Sequence, residues 1–156
     1  MLYAIYIINF IAFIILFGGY CLLIINYQKW FLKLKPFSYP PQMQAATGFS
    51  IIIPARNEEN NITKCIHSIL KNNYPQDLFE IIVIDDFSED KTAEIVKQLQ
   101  LQFSNIQLIQ LKNIVEEKLN SYKKKAIETG IKNARLDWIM TTDADCVVTN
   151  EWLSLF

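Results

Sequence analysis

The stretch Trp138-Ile-Met-Thr-Thr-Asp-Ala-Asp-Cys146 decides how this chain folds, because its apolar run ends in two carboxylates separated by one alanine. Side chains two residues apart in an extended strand point to the same face. We therefore expect Asp143 and Asp145 to project together and Ala144 to point the opposite way. Paired hard oxygen donors at a strand end suit Mg²⁺ or Mn²⁺. Aspartate is also common in turns after strands, so the interpretation depends on the rest of the chain.

Three apolar runs precede this stretch along the chain. They predict strands at residues 49–53, 79–84 and 106–111, with the fourth at 138–142. The first two runs are typical of fully buried strands. The third alternates in part, so we expect it nearer the edge of the sheet.

Helices are predicted between these strands. The first begins at Asn57 as the N-cap, has Glu58 and Glu59 in its first turn, and ends at Leu70. Its inward-facing positions are Ile62, Cys65, Ile66 and Ile69.

Two further helices complete the predicted pattern. One is capped by Ser88 and reaches Leu99, and the other covers residues 122–133. The inward-facing positions of the latter are Ala126, Ile127 and Ile131. After Cys146 another helix is expected to start near residues 150–153.

The alternation of strands and helices predicts an α/β fold with a doubly wound, mostly parallel sheet. In such sheets, ligands bind beyond the carboxyl ends of the strands, near the switch point. Each polar cluster at a strand end could be a cap or a turn, but such roles do not require three clusters to share one edge. The clusters are Pro54-Ala55-Arg56-Asn57-Glu58, Asp85-Asp86 and Asp143-Ala144-Asp145.

The amino-terminal region has a different composition. Residues 1–28 contain no Asp, Glu, Lys, Arg or His, and residues 2–25 are almost continuously apolar. A helix of that length would span about 36 Å, against about 30 Å of bilayer hydrocarbon. The missing basic n-region and cleavage site argue against a signal peptide, and the missing polar face argues against a soluble helix. We therefore predict a transmembrane anchor at residues 1–28.

The residues after this segment predict its orientation. Lys29, Lys33 and Lys35 follow the apolar run, so the positive-inside rule places the remaining chain in the cytoplasm. Residues 29–48 contain three prolines and are predicted to form an extended juxtamembrane linker. Residues 49–156 are then the soluble domain.

Charge and cysteine content exclude several functional classes. A formal net charge of −1 gives no reason to expect a nucleic acid partner. Cys21, Cys65 and Cys146 are far apart and lack metal-type spacing, so they predict neither a disulfide framework nor a zinc site. They fit a reducing compartment. We interpret His67 as a surface or boundary residue rather than a ligand.

Three motifs, taken together, resemble those of the family 2 glycosyltransferases, which have the GT-A nucleotide-sugar fold. The motifs are Ile51-Ile-Ile-Pro-Ala-Arg-Asn-Glu58, Ile82-Val-Ile-Asp-Asp-Phe-Ser-Glu-Asp-Lys-Thr92 and Thr142-Asp-Ala-Asp-Cys146. The resemblance covers residues 48–156. It implies transfer of a sugar from a nucleotide-diphosphate donor, expected to be a UDP-sugar, to a glycan or lipid acceptor at the cytoplasmic membrane face. The residues themselves do not exclude GDP.

The resemblance also implies roles at the nucleoside. The loop containing Pro54, Ala55, Arg56 and Glu58 would line a uridine-type pocket. Asp85 would accept a hydrogen bond from the base, with Asp86 in support.

At the diphosphate, the resemblance implies a metal site. Asp143 would lie near the ribose and the metal shell, and Asp145 would bind the Mg²⁺ or Mn²⁺ that bridges the diphosphate. Lys123 or Lys124 would supply the basic residue that family members often carry near the diphosphate.

The chain departs from the family pattern after the Asp-x-Asp motif. Family domains continue with an acceptor-side half that supplies a carboxylate base and often a Gln-x-x-Arg-Trp helix. Neither occurs before Phe156, and Glu151 follows Asp145 too closely to be that base. We therefore expect a truncated, donor-binding part of a transferase, with the base beyond Phe156 and no sugar transfer by this chain alone.

The sequence leaves three alternatives to a glycosyltransferase. A sugar-phosphate nucleotidyltransferase usually has a Gly-rich loop after its first strand, and residues 54–57 contain no glycine. A tethered receiver domain should place an aspartate at the end of its third strand, where this chain has Leu111-Lys112-Asn113. A non-catalytic nucleotide-binding fragment would be stabilised by nucleotide without turnover.

Overall fold

The computed structural model describes residues 2–35, 45–114 and 122–156. Residues 36–44, within the predicted linker, and residues 115–121 lie outside the described residues. The chain divides into two compact units, Met1–Pro41 and Gln42–Phe156.

The first unit contains one helix, α1 (Leu2–Phe31), with 30 residues. None of its residues is buried, and its length and composition are sufficient to cross a membrane. The helix continues past the predicted anchor boundary at residue 28 and includes Lys29 and Trp30. The continuously apolar sequence therefore forms the long helix that the composition predicts.

The second unit is built on a four-stranded sheet with the order β3-β2-β1-β4, in which every neighbouring pair is parallel. The strands are β1 (Phe49–Ala55), β2 (Phe79–Asp85), β3 (Ile106–Gln110) and β4 (Trp138–Thr141). Both the parallel sheet and the position of β3 at its edge are confirmed. Ala55 pairs with Asp85, so the carboxyl ends of the two central strands are level.

Helices cover both faces of this sheet, as predicted for a doubly wound fold. Helices α2 (Ile62–Leu70) and α3 (Thr92–Gln102) pack against one face, where Ile51 and Ile53 point. Helix α4 (Tyr122–Asn133) packs against the other face, where Ile52 points. Short 3₁₀ turns occur at Gln76–Leu78, Leu111–Asn113 and Leu153–Leu155. The last of these stands where the sequence predicted the start of an α-helix.

Two predicted helix starts are wrong, although the inward-facing stripe of α2 is confirmed. Helix α2 begins at Ile62 instead of Asn57, and α3 begins at Thr92 instead of Ser88. Asn57 has a φ of 56°, which no residue of a right-handed helix adopts. The residues before both helices form loops that bond to each other, so neither Asn57 nor Ser88 caps its own helix.

Helix α4 lies unusually close to β1. A Cβ atom on Gly130 would lie 2.5 Å from Cγ2 of Ile52, so only glycine allows this approach. Ala126, one turn earlier, is also buried in the same contact. Ile131 is 49% exposed, which makes the prediction that it faces inward wrong. The contact stripe runs through positions 126 and 130, and the next residue points about 100° away from it.

Strand β4 lies at the second edge of the sheet, a position that its apolar sequence did not indicate. Its Trp138 is 64% exposed, and the strand ends at Thr141 instead of Thr142. The amide of Thr142 still donates to the carbonyl of Ile52, at 3.2 Å. This bond fixes the point at which the chain leaves the sheet and enters the Asp-x-Asp motif.

A buried carboxylate anchors the start of β4 at the opposite end of the sheet. Glu80 accepts hydrogen bonds from Ser50 Oγ, the Arg135 amide and Arg135 Nε, each at 2.7 Å. The Leu136 amide donates to Ser50 Oγ at 3.2 Å. Burial raises the pKa of Glu80, but the hydrogen bonds from Ser50 and Arg135 outweigh it and hold the pKa below its usual range. The network fixes the connection between α4 and β4, and with it the register of β4.

Candidate functional site

A cavity of about 250 Å³ lies at the carboxyl ends of β1, β2 and β4. In the order β3-β2-β1-β4, the chain places β2 and β3 on one side of β1 and β4 on the other side, so the cavity occupies the switch point of the doubly wound sheet. Its lining residues are Pro54, Ala55, Arg56, Glu58, Asp86, Lys123, Asp143, Ala144 and Asp145. The structure therefore brings together all three polar clusters that the sequence placed at strand ends.

The ends of β1 and β2 are joined directly at this cavity. The Asp86 amide donates to the Ala55 carbonyl at 2.8 Å, one residue beyond the ladder of the two strands. Arg56 then leaves β1 as an exposed residue, whereas Glu58 is half-buried. The continuation of strand pairing places the Arg56 and Asp86 side chains on one wall of the cavity.

The two adjacent aspartates of β2 have different environments. Asp85 is fully buried and does not line the cavity. It accepts hydrogen bonds from the Ser88 amide at 3.3 Å and from Gln110 Nε2 at 3.2 Å. Asp86 lines the cavity, and its buried Oδ1 has no hydrogen-bond partner among the described residues. Asp86 therefore presents an oxygen to the cavity that can still accept a hydrogen bond. Both oxygens of Asp85 already accept one.

The environment of Asp86 also disfavours its charged form. Burial raises the pKa of Asp86, the positive charge of Arg56 opposes this, and the negative charge of Asp85 adds to it, leaving the pKa above its usual value. A buried carboxylate with an unused oxygen is costly unless a donor meets it. The site is therefore chemically suited to a ligand that presents an N–H or O–H group to Asp86.

The Asp-x-Asp motif forms the opposite wall. Asp143 and Asp145 are exposed and line the cavity, while Ala144 is buried in the core cluster that includes α2. Beneath them, Cys65 Sγ lies 3.6 Å from the Asp143 carbonyl oxygen, which also accepts from the Cys146 amide at 3.2 Å. Burial raises the pKa of the Cys65 thiol to about 12, so the thiol stays neutral and can donate.

Lys123 is the lysine that reaches this wall. Its Nζ donates to Asp143 Oδ1 at 2.8 Å, and this hydrogen bond and the carboxylate charge raise the pKa of Lys123. Lys124 does not line the cavity and lies 3.9 Å from Glu128, one turn along α4. Of the two lysines that the sequence left open, the structure brings only Lys123 to the site.

The donor set of the cavity fits a hard divalent cation that also takes ligands from elsewhere. Among the described residues, no group of three or more His, Cys, Asp and Glu side chains could enclose a metal ion. Asp143 and Asp145 supply carboxylate oxygens on one exposed wall. Mg²⁺ and Mn²⁺ bind through one or two carboxylates and complete their shells with water and phosphate oxygens.

Sequence reasoning missed two kinds of residue at this site. Cys65 was identified only as part of the apolar stripe of α2, and its contact lies 78 residues away at Asp143. Asn57 and Ser88 were interpreted as helix caps, but they bond to each other's loops. The signal that could have identified Asn57 and Ser88 is that each lies within one of the quoted motifs.

Comparisons with known proteins show which family and which solved folds this chain resembles. The model of the family described as "Glycosyl transferase family 2" matches residues 50–156. Glycosyltransferase AglE of Haloferax volcanii is 34% identical over 104 residues, which cover 67% of this chain and 32% of that protein. This chain spans between about a sixth and a third of the length of the curated relatives it matches.

Two solved structures share the fold. S. aureus TarS in complex with UDP-GlcNAc has a TM-score of 0.55 and 27% identity, covering 69% of this chain and 29% of that one. The mannosyltransferase PcManGT from Pyrobaculum calidifontis, in complex with GDP-Man and Mn²⁺, has a TM-score of 0.69, covering 88% and 39%. Its identity of 23% makes it a comparison of fold alone. The family match, the relative and the site agree, and this chain belongs to glycosyl transferase family 2.

Proposed function

We propose that this chain forms the donor-binding part of a glycosyltransferase and binds a nucleoside-diphosphate sugar together with Mg²⁺ or Mn²⁺. One observation carries the proposal. A single cavity at the switch point combines a carboxylate oxygen of Asp86 that has no partner among the described residues with the carboxylates of Asp143 and Asp145 and the cation of Lys123. These groups match a base at one end and a metal-bound diphosphate at the other.

We assign base recognition to Asp86, with Asp85 as the buried support behind it. This reverses the order of the two roles expected from the sequence. Both oxygens of Asp85 already accept hydrogen bonds, whereas Oδ1 of Asp86 accepts none from the described residues. Arg56 and Glu58 complete the nucleoside side of the cavity, together with the backbone at Pro54 and Ala55.

We assign the diphosphate end to the opposite wall. Asp145 would hold the cation directly and Asp143 would lie in its shell near the ribose, while Lys123 would contact a phosphate oxygen. When bound, the cation neutralises the negative charge that develops on the diphosphate as the bond to the sugar breaks. The carboxylates of the cavity are occupied by these roles, so we assign none of them as the base that activates the acceptor.

UDP is the nucleotide that we propose. TarS, whose structure contains UDP-GlcNAc, is 27% identical over the shared domain. An aspartate acceptor suits the N–H group that a uracil ring presents. A guanine base also carries N–H donors, so the choice between UDP and GDP is part of the test.

We also propose that α1 anchors the chain in a membrane, with the following lysines on the cytoplasmic side. Support comes from the length and composition of Leu2–Phe31 and from the basic residues Lys29, Lys33 and Lys35 at its end. An enzyme held in this way would work on acceptors at the membrane surface, so we propose a glycan or lipid acceptor.

Calorimetric titration of the intact chain in detergent micelles tests the proposed donor site. The ligands are UDP, UMP, uridine and GDP, each with Mn²⁺ and with EDTA. We expect UDP with Mn²⁺ to bind most tightly. Removing either the metal or the β-phosphate should weaken binding at least about tenfold, because both the cation and Lys123 act on the diphosphate. Equal affinities for uridine and UDP, or binding independent of Mn²⁺, would contradict the proposal.

A further inference from the structure

Two loops border the nucleoside side of the cavity. The first loop, residues 56–61, follows β1, and the second loop, residues 86–91, follows β2. Arg56 and Glu58 in the first loop and Asp86 in the second line the cavity. Whatever fixes these loops relative to each other therefore also fixes the distance between the side chains proposed to hold the nucleoside.

Asn57 in the first loop makes hydrogen bonds with Ser88 and Glu89 in the second loop. The Asn57 amide donates to Ser88 Oγ at 3.0 Å. The side-chain oxygen Oδ1 of Asn57 accepts from the Glu89 amide at 2.9 Å. Each loop thus supplies one backbone donor and one side-chain acceptor, and the partners are about 30 residues apart in sequence.

Three more bonds extend this connection toward α2 and α3. The Glu58 amide donates to Thr92 Oγ1 at 2.8 Å, and the Glu59 amide donates to Asp90 Oδ2 at 3.1 Å. In return, the Lys91 amide donates to Glu59 Oε2 at 3.1 Å. These bonds satisfy backbone donors ahead of the two helices, whose N-cap residues Asn61 and Lys91 make no side-chain capping bond among the described residues.

Both loops contain a non-glycine residue in the left-handed region. Asn57 has a φ of 56° and Phe87 a φ of 53°. Asparagine tolerates this conformation, whereas phenylalanine is strained in it. Such strain persists only where the surroundings determine the conformation. Phe87 lies between the cavity residue Asp86 and Ser88, so the bond to Ser88 is well placed to maintain it.

We propose that Asn57 and Ser88 are positioning residues of the donor site, and that their hydrogen bonds between the two loops hold Arg56, Glu58 and Asp86 at the spacing that the nucleoside requires. This inference rests on the proposed function. It extends that function by assigning a task to two residues that do not line the cavity. The two loops then form one preorganised wall before nucleotide binds.

Variants that remove one acceptor at a time test this role in the intact chain. Ser88→Ala removes the acceptor for the Asn57 amide, and Ser88→Thr retains it. Asn57→Gly removes the acceptor for the Glu89 amide and keeps the positive φ without strain. Ser154→Ala is the control, because Ser154 bonds only locally to the Glu151 carbonyl among the described residues.

Two measurements are made on each variant. Amide hydrogen exchange without nucleotide reports the hydrogen bonds, and calorimetry with UDP and Mn²⁺ reports the site. We expect faster exchange of the Asn57 amide in Ser88→Ala and of the Glu89 amide in Asn57→Gly. We expect UDP affinity to fall about 3- to 10-fold in both, as one lost hydrogen bond implies. Ser88→Thr and the control should stay within about twofold of the unsubstituted chain.

The outcomes separate the positioning role from the proposed function. If the unsubstituted chain binds no UDP, the proposed function fails and the positioning role fails with it. If it binds UDP and both acceptor variants exchange faster but bind UDP equally well, only the positioning role is overturned. Weaker UDP binding with unchanged exchange would also overturn it, because that result indicates direct contact with the nucleotide. Ser88→Ala removes an acceptor from the second loop, and Asn57→Gly removes one from the first loop. If one variant fails to fold, the other still tests the positioning role.

Discussion

Replacement of Asp145 with asparagine is expected to abolish the metal dependence of nucleotide binding. Asparagine keeps the size of the side chain but removes the charge that a hard cation requires. Asp143 cannot fully substitute, because Lys123 already pairs with it at 2.8 Å. Loss of residues that merely support a metal ligand lowers affinity by about 10- to 100-fold, so loss of a direct ligand should cost at least about 100-fold. Calorimetric titration of Mn²⁺ into the UDP-saturated chain measures this affinity.

Asp137 provides the matched control, because it lies before β4 whereas Asp145 lies after it. Asp137→Asn makes the same change of charge just before β4, at the end of the strand opposite the cavity. We expect it to leave Mn²⁺ affinity within about twofold, since a distant exposed charge is largely screened. If both variants lose Mn²⁺ affinity equally, or if Asp145→Asn binds Mn²⁺ as tightly as the unsubstituted chain, Asp145 is not the metal ligand.

Replacement of Glu80 with alanine is expected to have the largest effect on stability. Glu80 is 2% exposed and holds Ser50 and Arg135 through three hydrogen bonds. Its loss leaves the Ser50 hydroxyl and the Arg135 amide without an acceptor, and together these should cost about 2–4 kcal/mol of unfolding free energy. Urea unfolding of the intact chain, followed by near-UV circular dichroism, measures the change. Glu128→Gln is the control, because its 3.9 Å ion pair with Lys124 is exposed.

The same residue sets part of the acid sensitivity. The folded chain holds the pKa of Glu80 below its ordinary value of 4.5, so the folded state binds fewer protons than the unfolded state as this group titrates. Its contribution is complete at neutral pH and is lost as pH falls through the lowered pKa. Glu80→Gln should therefore lower stability at pH 7 and flatten its decline in acid. An unfolding midpoint at pH 7 equal to that of the unsubstituted chain would show that the network does not stabilise the fold.

Much of the fold could be predicted because it depends on local patterns. The continuous apolar runs at β1 and β2 give two buried central strands, and the partial alternation of β3 gives an edge strand. The bounds of α4, residues 122–133, also match the prediction. The edge position of β4 was not predictable in this way, because its apolar sequence resembles that of a buried strand.

The loops could not be predicted, because their partners are distant in sequence. Asn57 and Ser88 have the residue types that cap helices, and local sequence does not distinguish a cap from a bond to another loop. Ile131 was misjudged for a related reason, since the close approach of Gly130 to Ile52 sets the rotation of α4. In each case a tertiary contact overrides a local preference.

The candidate site was predictable to the level of clusters but not of single side chains. Adjacent strand residues point to opposite faces, so one of Asp85 and Asp86 had to turn away from the cavity, and only the packing shows that it is Asp85. Lys123 and Lys124 differ in the same way, by about 100° around α4. The network around Glu80 was missed entirely, although a glutamate inside the apolar run of β2 was a signal.

The most direct test of the central claim locates the metal itself. Mn²⁺ is added to the intact, ¹⁵N-labelled chain in micelles with and without UDP, and paramagnetic broadening of amide signals is mapped, with Mg²⁺ as the diamagnetic control. A metal held by Asp143 and Asp145 with the diphosphate should broaden the signals of residues 143–146 and 55–58 only when UDP is present. Signals near Glu80 and Arg135, at the opposite end of the strands, should remain sharp. Broadening centred elsewhere, or the same broadening without UDP, would contradict a shared metal and nucleotide site at this cavity.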